Sequence, residues 1–127
     1  MKTLVDNFEI VPLSDFQSFD GLHLITISGT SPDRFIANNN MVLVDDPETG
    51  GRAGSFYKQS LRAVTDKLDS RQRSVYTARR PVIVLLFTDD RSPVLWGNSD
   101  QKLRVTITPH PASDILDFTR SALASVF

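Results

Sequence analysis

The chain has 127 residues, 40% of them apolar, and a formal net charge of -1 at neutral pH. That describes one domain with enough apolar mass for its own core, and it gives no global attraction to nucleic acid or to an anionic membrane. There is no cysteine, which excludes disulfides, thiolate metal sites and cysteine nucleophiles together.

The first six residues carry Lys2 and then Asp6, with no apolar stretch of signal-peptide length behind them. No run approaches the 18 apolar residues of a membrane span, so no membrane segment is expected. Synthesis in a cytoplasm is the expectation. Phe8 to Val11 predicts a short strand stopped by Pro12. Ser14 to Gly21 reads as a polar turn holding Phe16 and Phe19. Leu22 to Ser28 is apolar on both faces, which predicts a central strand ended by Gly29. Thr30 to Asn40 reads as a loop in which Ser31-Pro32 can begin one helical turn, and Met41 to Val44 as a short strand. Asp45 to Gly54 contains Pro47, Gly50, Gly51 and Gly54 and predicts an exposed, mobile loop.

From Ser55 to Asp66, Tyr57, Leu61 and Ala63 share one face at period two, with Phe56, Lys58, Ser60, Arg62 and Val64 on the other. This predicts a long strand solvated on one side. A helix competes, because Phe56, Ser60 and Val64 also align at spacing four. Asp69 or Ser70 can cap a short helix running to Arg79, with Leu68, Val75 and Ala78 or Arg79 inward. Pro81 opposes its continuation.

Residues 79–108 form the centre of the domain. The apolar run Val82 to Thr88, a turn at Asp89 to Ser92, the segment Pro93 to Gly97, a polar loop at Asn98 to Gln101 and the alternating Lys102 to Thr108 read as three consecutive strands. Pro109-His110-Pro111 then breaks the sheet. Pro111 suits a first helical turn, with Asp114 near its positive end. Ile115, Leu116, Phe118, Thr119, Ala122, Leu123, Val126 and Phe127 would make an apolar stripe. A C-terminal helix over residues 112–127 is expected, with Asp114, Asp117, Arg120 and Ser121 outward. The fold class expected is α+β. It is a mostly antiparallel β-sheet sandwich or small barrel in one domain, 1–127, with one short internal helix and the C-terminal helix.

No chemical constellation stands out. Asp89-Asp90 and Asp45-Asp46 with Glu48 are acidic pairs at turns, where aspartate serves the backbone and adjacent carboxylates point apart. The Asp45 stretch lacks calcium-loop spacing. His23 and His110 have no second ligand at metal-binding spacing. Arg71, Arg73, Arg79 and Arg80 form a basic cluster that could meet phosphates. Without interleaved aromatics other than Tyr76, it reads as a solvated face or an inter-subunit ion-pair surface. Residues 50–54 lack the ending of a phosphate loop. Ser28, Ser55 and Ser99 lack a nucleophile-elbow setting. Trp96-Gly97 reads as a core anchor beside a turn or bulge glycine. No catalytic, cofactor or metal residue is therefore assigned, no cofactor is expected, and no specific nucleic-acid binding is expected.

The order of elements over residues 54–108 is a long strand through Ser55-Phe56-Tyr57-Lys58-Gln59-Ser60-Leu61, a short arginine-bearing helix and the strand Arg80 to Asp90. Leu95-Trp96-Gly97-Asn98 and Leu103 to Thr108 follow. This order resembles small virion proteins encoded among the head–tail and tail genes of tailed bacteriophages and prophages. The resemblance implies a non-enzymatic structural subunit of the neck, connector or tail, in a virion assembled in the host cytoplasm. Its partners would be further copies of itself and other virion proteins. It supplies no functional residue. The contacts expected for such a subunit are the 45–54 loop, an edge strand and the 112–127 helix. The alternative is a small β-barrel binding module with a pocket near Trp96 or Tyr57. An enzyme using scattered acids is a third reading.

Overall fold

The computed structural model describes residues 2–49, 55–77, 79–89 and 91–126. In chain order the elements are β1 (Lys2–Val5), β2 (Asn7–Pro12), a 3-10 turn (Leu13–Asp15), β3 (Phe16–Phe19), β4 (Leu24–Thr26), β5 (Asp33–Phe35) and β6 (Met41–Thr49). Then come β7 (Ser55–Asp66), α1 (Ser70–Val75), β8 (Pro81–Thr88), β9 (Arg91–Trp96), β10 (Leu103–Pro109) and β11 (Ser113–Ala122).

The main sheet is antiparallel, in the order β1-β6-β7-β11-β10-β8-β2-β5, with β9 paired to β8. It does not close into a barrel, because the terminal members β1 and β5 do not pair with each other. Those ends are nevertheless neighbours in the chain. Only Asp6 separates β1 from β2, and its N–H donates to the Phe87 carbonyl of β8 at 2.8 Å. Residues 36–40 separate β5 from β6, and the Asn38 N–H donates to the Val64 carbonyl of β7 at 2.7 Å. The sheet therefore curls around one core.

An aromatic series crosses that core. Tyr76 meets Phe35 edge-on at 6.3 Å, Phe35 meets Phe8 at 5.8 Å, Phe8 meets Phe118 edge-on at 5.4 Å, and Phe118 meets Trp96 at 6.1 Å. Rings at these spacings add directional attraction to the area they bury. The unbroken apolar run in β8 is explained by burial on both faces. Val82, Val84 and Leu86 enter the main core, while Ile83 and Leu85 join a second cluster with Val11 and Leu24. Phe16, Phe19 and Leu13 pack on that cluster, so the two-stranded β3–β4 sheet lies over this side as a second, sandwich-like layer.

Several expectations need correction: besides the three that follow, the turn at 14–21 contains strand β3 (Phe16–Phe19), and the loop at 30–40 contains strand β5 (Asp33–Phe35) in place of a helical turn. Residues 112–127 are not a helix, because β11 lies in a ladder on both edges. It pairs with β7 from Ser113↔Asp66 to Ala122↔Tyr57, and with β10 from Arg104↔Thr119 to Pro109↔Asp114. Asp114, Leu116, Phe118 and Ala122 point inward at period two. Leu116, Phe118 and Ala122 also fit a helical stripe, and the two waiting strand edges decided between the patterns. Residues 22–28 are not a central strand, since β4 covers only three of them and pairs with β3 alone. The 45–54 stretch is strand as far as Thr49, and residues 50–54 lie outside the described residues.

The long strand over Ser55–Asp66 and the three strands of residues 79–108 are as expected. So is the Asp69 cap, whose carboxylate accepts from the Gln72 N–H at 2.7 Å while the Asp69 N–H donates back to Gln72 Oε1. The helix ends earlier than expected, at Val75 with Tyr76 as its C-cap, before Arg79 turns the chain with a φ of +55°. No helix among the described residues is long and apolar enough to cross a membrane.

Candidate assembly surface

The β6–β7 hairpin changes partners along its length. β1 covers β6 only from Met41 to Val44, and β7 pairs with it from Val44↔Ser60 to Thr49↔Ser55. From residue 45 to 49, the β6 edge away from β7 meets no strand among the described residues. The last two pairs, Glu48↔Phe56 and Thr49↔Ser55, lie past the Ala122↔Tyr57 end of β11. An open edge of this kind is a template for another strand. Pro47, which cannot donate, and the exposed acids Asp46 and Glu48 make it selective rather than generally sticky.

Beside the hairpin, Phe56, Gln101, Ser121, Ala122 and Leu123 line a mostly apolar hollow of about 240 Å³. The Leu123 residue is 72% exposed. Exposed apolar side chains at the same end of a sheet as an open strand edge are ordinary materials of a protein interface.

A buried polar network fixes the tail behind this surface. Asp45 and Gln59 are each only 2% exposed. One Asp45 oxygen accepts from Gln59 Nε2 at 3.3 Å; the other accepts from Ser125 Oγ at 2.6 Å and the Val126 N–H at 2.8 Å. Gln59 Oε1 accepts from the Trp96 indole at 2.8 Å and from Arg120 at 3.3 Å, while Gln59 Nε2 also donates to the Ala124 carbonyl. Arg120 Nε donates to the Gln101 carbonyl at 2.7 Å. Burial lowers the affinity of Arg120 for its proton, and the nearby Asp45 charge opposes that shift. Each group has a partner, so residues 124–126 are held in place next to exposed Leu123. The sign of this network in the sequence is Gln59 itself, a polar residue in the Tyr57–Leu61–Ala63 row.

The outer faces of β6, β7, β11 and β10 form a polar groove of about 610 Å³. Arg79, Lys102 and Arg104 stand on the β10 side, and Asp46 and Glu48 on the β6 side. Between them lie the hydroxyls of Ser60, Thr119 and Ser121 together with the cations Lys58 and Arg120.

The other residues singled out above are dispersed. His23 and His110 are exposed; His23 lies 3.5 Å from Asp20, and the His110 carbonyl accepts from Lys67. Asp89 is exposed after β8, and Asp90 lies outside the described residues. Ser28 and Ser99 are exposed, and the Ser55 side chain lies outside the described set. Trp96 is fully buried, and Tyr57 is partly buried where β7 pairs with Ala122. Among the described residues, no three His, Cys, Asp or Glu side chains group to hold a metal.

The expected arginine cluster divides. Arg71 pairs with Asp33, which also accepts from the Tyr76 hydroxyl. Burial, then the Asp33 hydrogen bond and charge, pushes the Tyr76 phenol far above its usual range. Arg73 pairs at 2.7 Å with buried Asp114, which also takes Lys67 at 3.1 Å and the Leu68 N–H at 2.8 Å. These contacts tie α1 to β5 and β11. Arg79 and Arg80 instead join Lys102 and Arg104: Arg104 donates to the Arg79 carbonyl at 3.0 Å, and Arg80 to the Val75 carbonyl at 2.9 Å. Sequence reading missed this second grouping because it depends on β10 pairing next to the start of β8.

Compared with family models, curated proteins and solved structures, the chain finds no match.

Proposed function

We propose that this chain is a non-enzymatic structural subunit of a tailed-phage virion, of the neck, connector or tail, acting by symmetric self-assembly. The open edge of β6 over residues 45–49, with exposed Leu123 across β7 at the same end of the hairpin, carries the self-assembly part of this reading. A ring or tube subunit needs one surface that a neighbour can extend and one apolar spot that the neighbour covers. Both lie here at the same end of the hairpin. The tail that presents Leu123 is anchored through Asp45, so the surface exists before a partner arrives and binding need not order it. The phage setting rests on the order of elements over residues 54–108.

Deleting residues 46–53 tests the contact. The deletion retains Asp45 and its tail contacts and removes the open edge. The variant is expected to stay folded, by near-ultraviolet circular dichroism, and to lose the oligomers of the parent in sedimentation velocity. Oligomers unchanged by the deletion would remove the hairpin from the interface.

A further inference from the structure

The groove on the outer faces of β6, β7, β11 and β10 adjoins a second hollow, of about 360 Å³, at the start of β8. Arg79 and Arg104 line both, Lys102 lines the first, and Arg80 lines the second. The pairing of β10 with β8 makes this junction. Arg104 stands opposite Pro81, and the Val105 N–H donates to the Arg80 carbonyl at 3.3 Å. Lys102 lies two residues before Arg104, about 7 Å along the chain. Four cations from two separate stretches of sequence are gathered at one place.

Their charges are not neutralised locally. Arg79, Arg80, Lys102 and Arg104 have no carboxylate partner among the described residues. By contrast, Lys58, Arg62, Lys67, Arg71 and Arg73 each meet one. Arg104 donates to the Arg79 carbonyl, and Arg80 to the Val75 carbonyl. Those contacts hold the two guanidiniums in place and leave their charge intact. Arg79, Arg80 and Lys102 are exposed, and Arg104 is partly so. Arg79 supplies its charge from a left-handed backbone, at a φ of +55°, which costs any residue but glycine. A chain with a net charge of -1 therefore concentrates positive charge on one patch.

We infer that this patch binds the phosphate backbone of a nucleic-acid duplex without reading its sequence. None of the four cations belongs to the open β6 edge, so the contact is independent of self-assembly. Three observations select the partner. The cations line two adjoining hollows and so face more than one phosphate group. The exposed hydroxyls of Thr119 and Ser121 stand beside them on β11, and serine and threonine hydroxyls donate to phosphate oxygens. Among the described residues, no aromatic side chain lines either hollow, so unstacked bases would find no ring to rest on. A duplex, which keeps its bases stacked and turns its phosphates outward, fits such a surface better than a single strand. Asp46 and Glu48 bound the groove on the β6 side, and Glu48 meets Lys58 at 3.6 Å. The backbone therefore lies along β10 and the start of β8 rather than across to β6.

Fluorescence anisotropy of a short labelled DNA duplex, titrated with the full chain at several salt concentrations, tests this. Binding is expected at low salt and should be equal for two unrelated sequences. Log affinity should fall against log salt with a slope of about -3 to -4, one phosphate for each cation. Arg79→Gln with Lys102→Gln is expected to weaken binding by about tenfold or more and to reduce the slope by about two. Both side chains are exposed, and a thermal melt would verify that the variant folds. Arg80→Gln with Arg104→Gln repeats the test at the other two positions. Arg34→Glu, exposed on β5, changes the net charge by the same amount and is expected to bind as the parent does. A duplex left unbound by the parent at every salt concentration would overturn the inference. So would double variants that bind as the parent does, or a loss in Arg34→Glu as large as theirs. Tighter binding of polyglutamate than of the duplex would overturn it in favour of an acidic protein partner. A parent chain that binds the duplex while staying monomeric would uphold it and reject self-assembly alone.

Discussion

Two residues show how tightly the core constrains the chain. Gly97 follows buried Trp96 with a φ of +102°, and an added Cβ would lie 3.0 Å from the Val82 carbonyl and 3.1 Å from Leu103 Cβ. Gly97→Ala therefore combines a strained backbone with a clash against backbone, and a loss of about 3 kcal/mol is expected in urea unfolding. A loss near zero would mean that β8 and β10 do not approach each other there. Asp114 gives a pH signature. Burial alone would raise its pKa, but the Leu68 N–H, Lys67 and Arg73 outweigh that and hold it below the ordinary aspartate value. A carboxylate whose pKa is lowered on folding contributes stability above its unfolded value, near 3.9, and that contribution is lost as pH falls through its folded value. Asp114→Asn is expected to cost about 1.5 kcal/mol at neutral pH, since both cations are partly exposed, and to flatten the acid limb of the stability curve. An acid limb identical to that of the parent would contradict this role. Of these features, the Trp96-Gly97 anchor was legible in the sequence. Asp114 was not, because it was read as a helix-start residue rather than as an inward position of a strand.

At the scale of elements, legibility followed how many patterns a segment can fit. The run Val82 to Thr88 is short, apolar and bounded by Pro81 and an aspartate turn, so strand was the natural reading. Residues 113–122 fit both periods, and the ladders with β7 and β10 settled them as strand. Leu22 to Ser28 has apolar residues on both faces, yet Ile25 and Ile27 are exposed on the β3–β4 layer. No local pattern says which layer a strand joins. The pairing leads to a direct test by amide hydrogen exchange. β11, enclosed on both edges, should exchange among the slowest segments. Alternate amides over residues 45–49, those aimed away from β7, should exchange fast. Uniform protection there in a dilute, monomeric sample would show that another segment covers the edge.

At the scale of the molecule, the curled sheet divides its work. One side is buried twice over, by the main core and by the β3–β4 layer. The side away from that layer carries the open β6 edge, the Leu123 hollow and the polar groove. The groove was the least legible part of the sequence. Arg79, Lys102 and Asp46 are far apart in the chain, and only the β10-β11-β7-β6 order brings their charges onto one face. The most direct test of the central claim is native mass spectrometry of the purified chain over a range of concentrations, with negative-stain images of the same samples. The account predicts oligomers of defined symmetry that grow with concentration and form rings or tubes. A strict monomer at every concentration would contradict it.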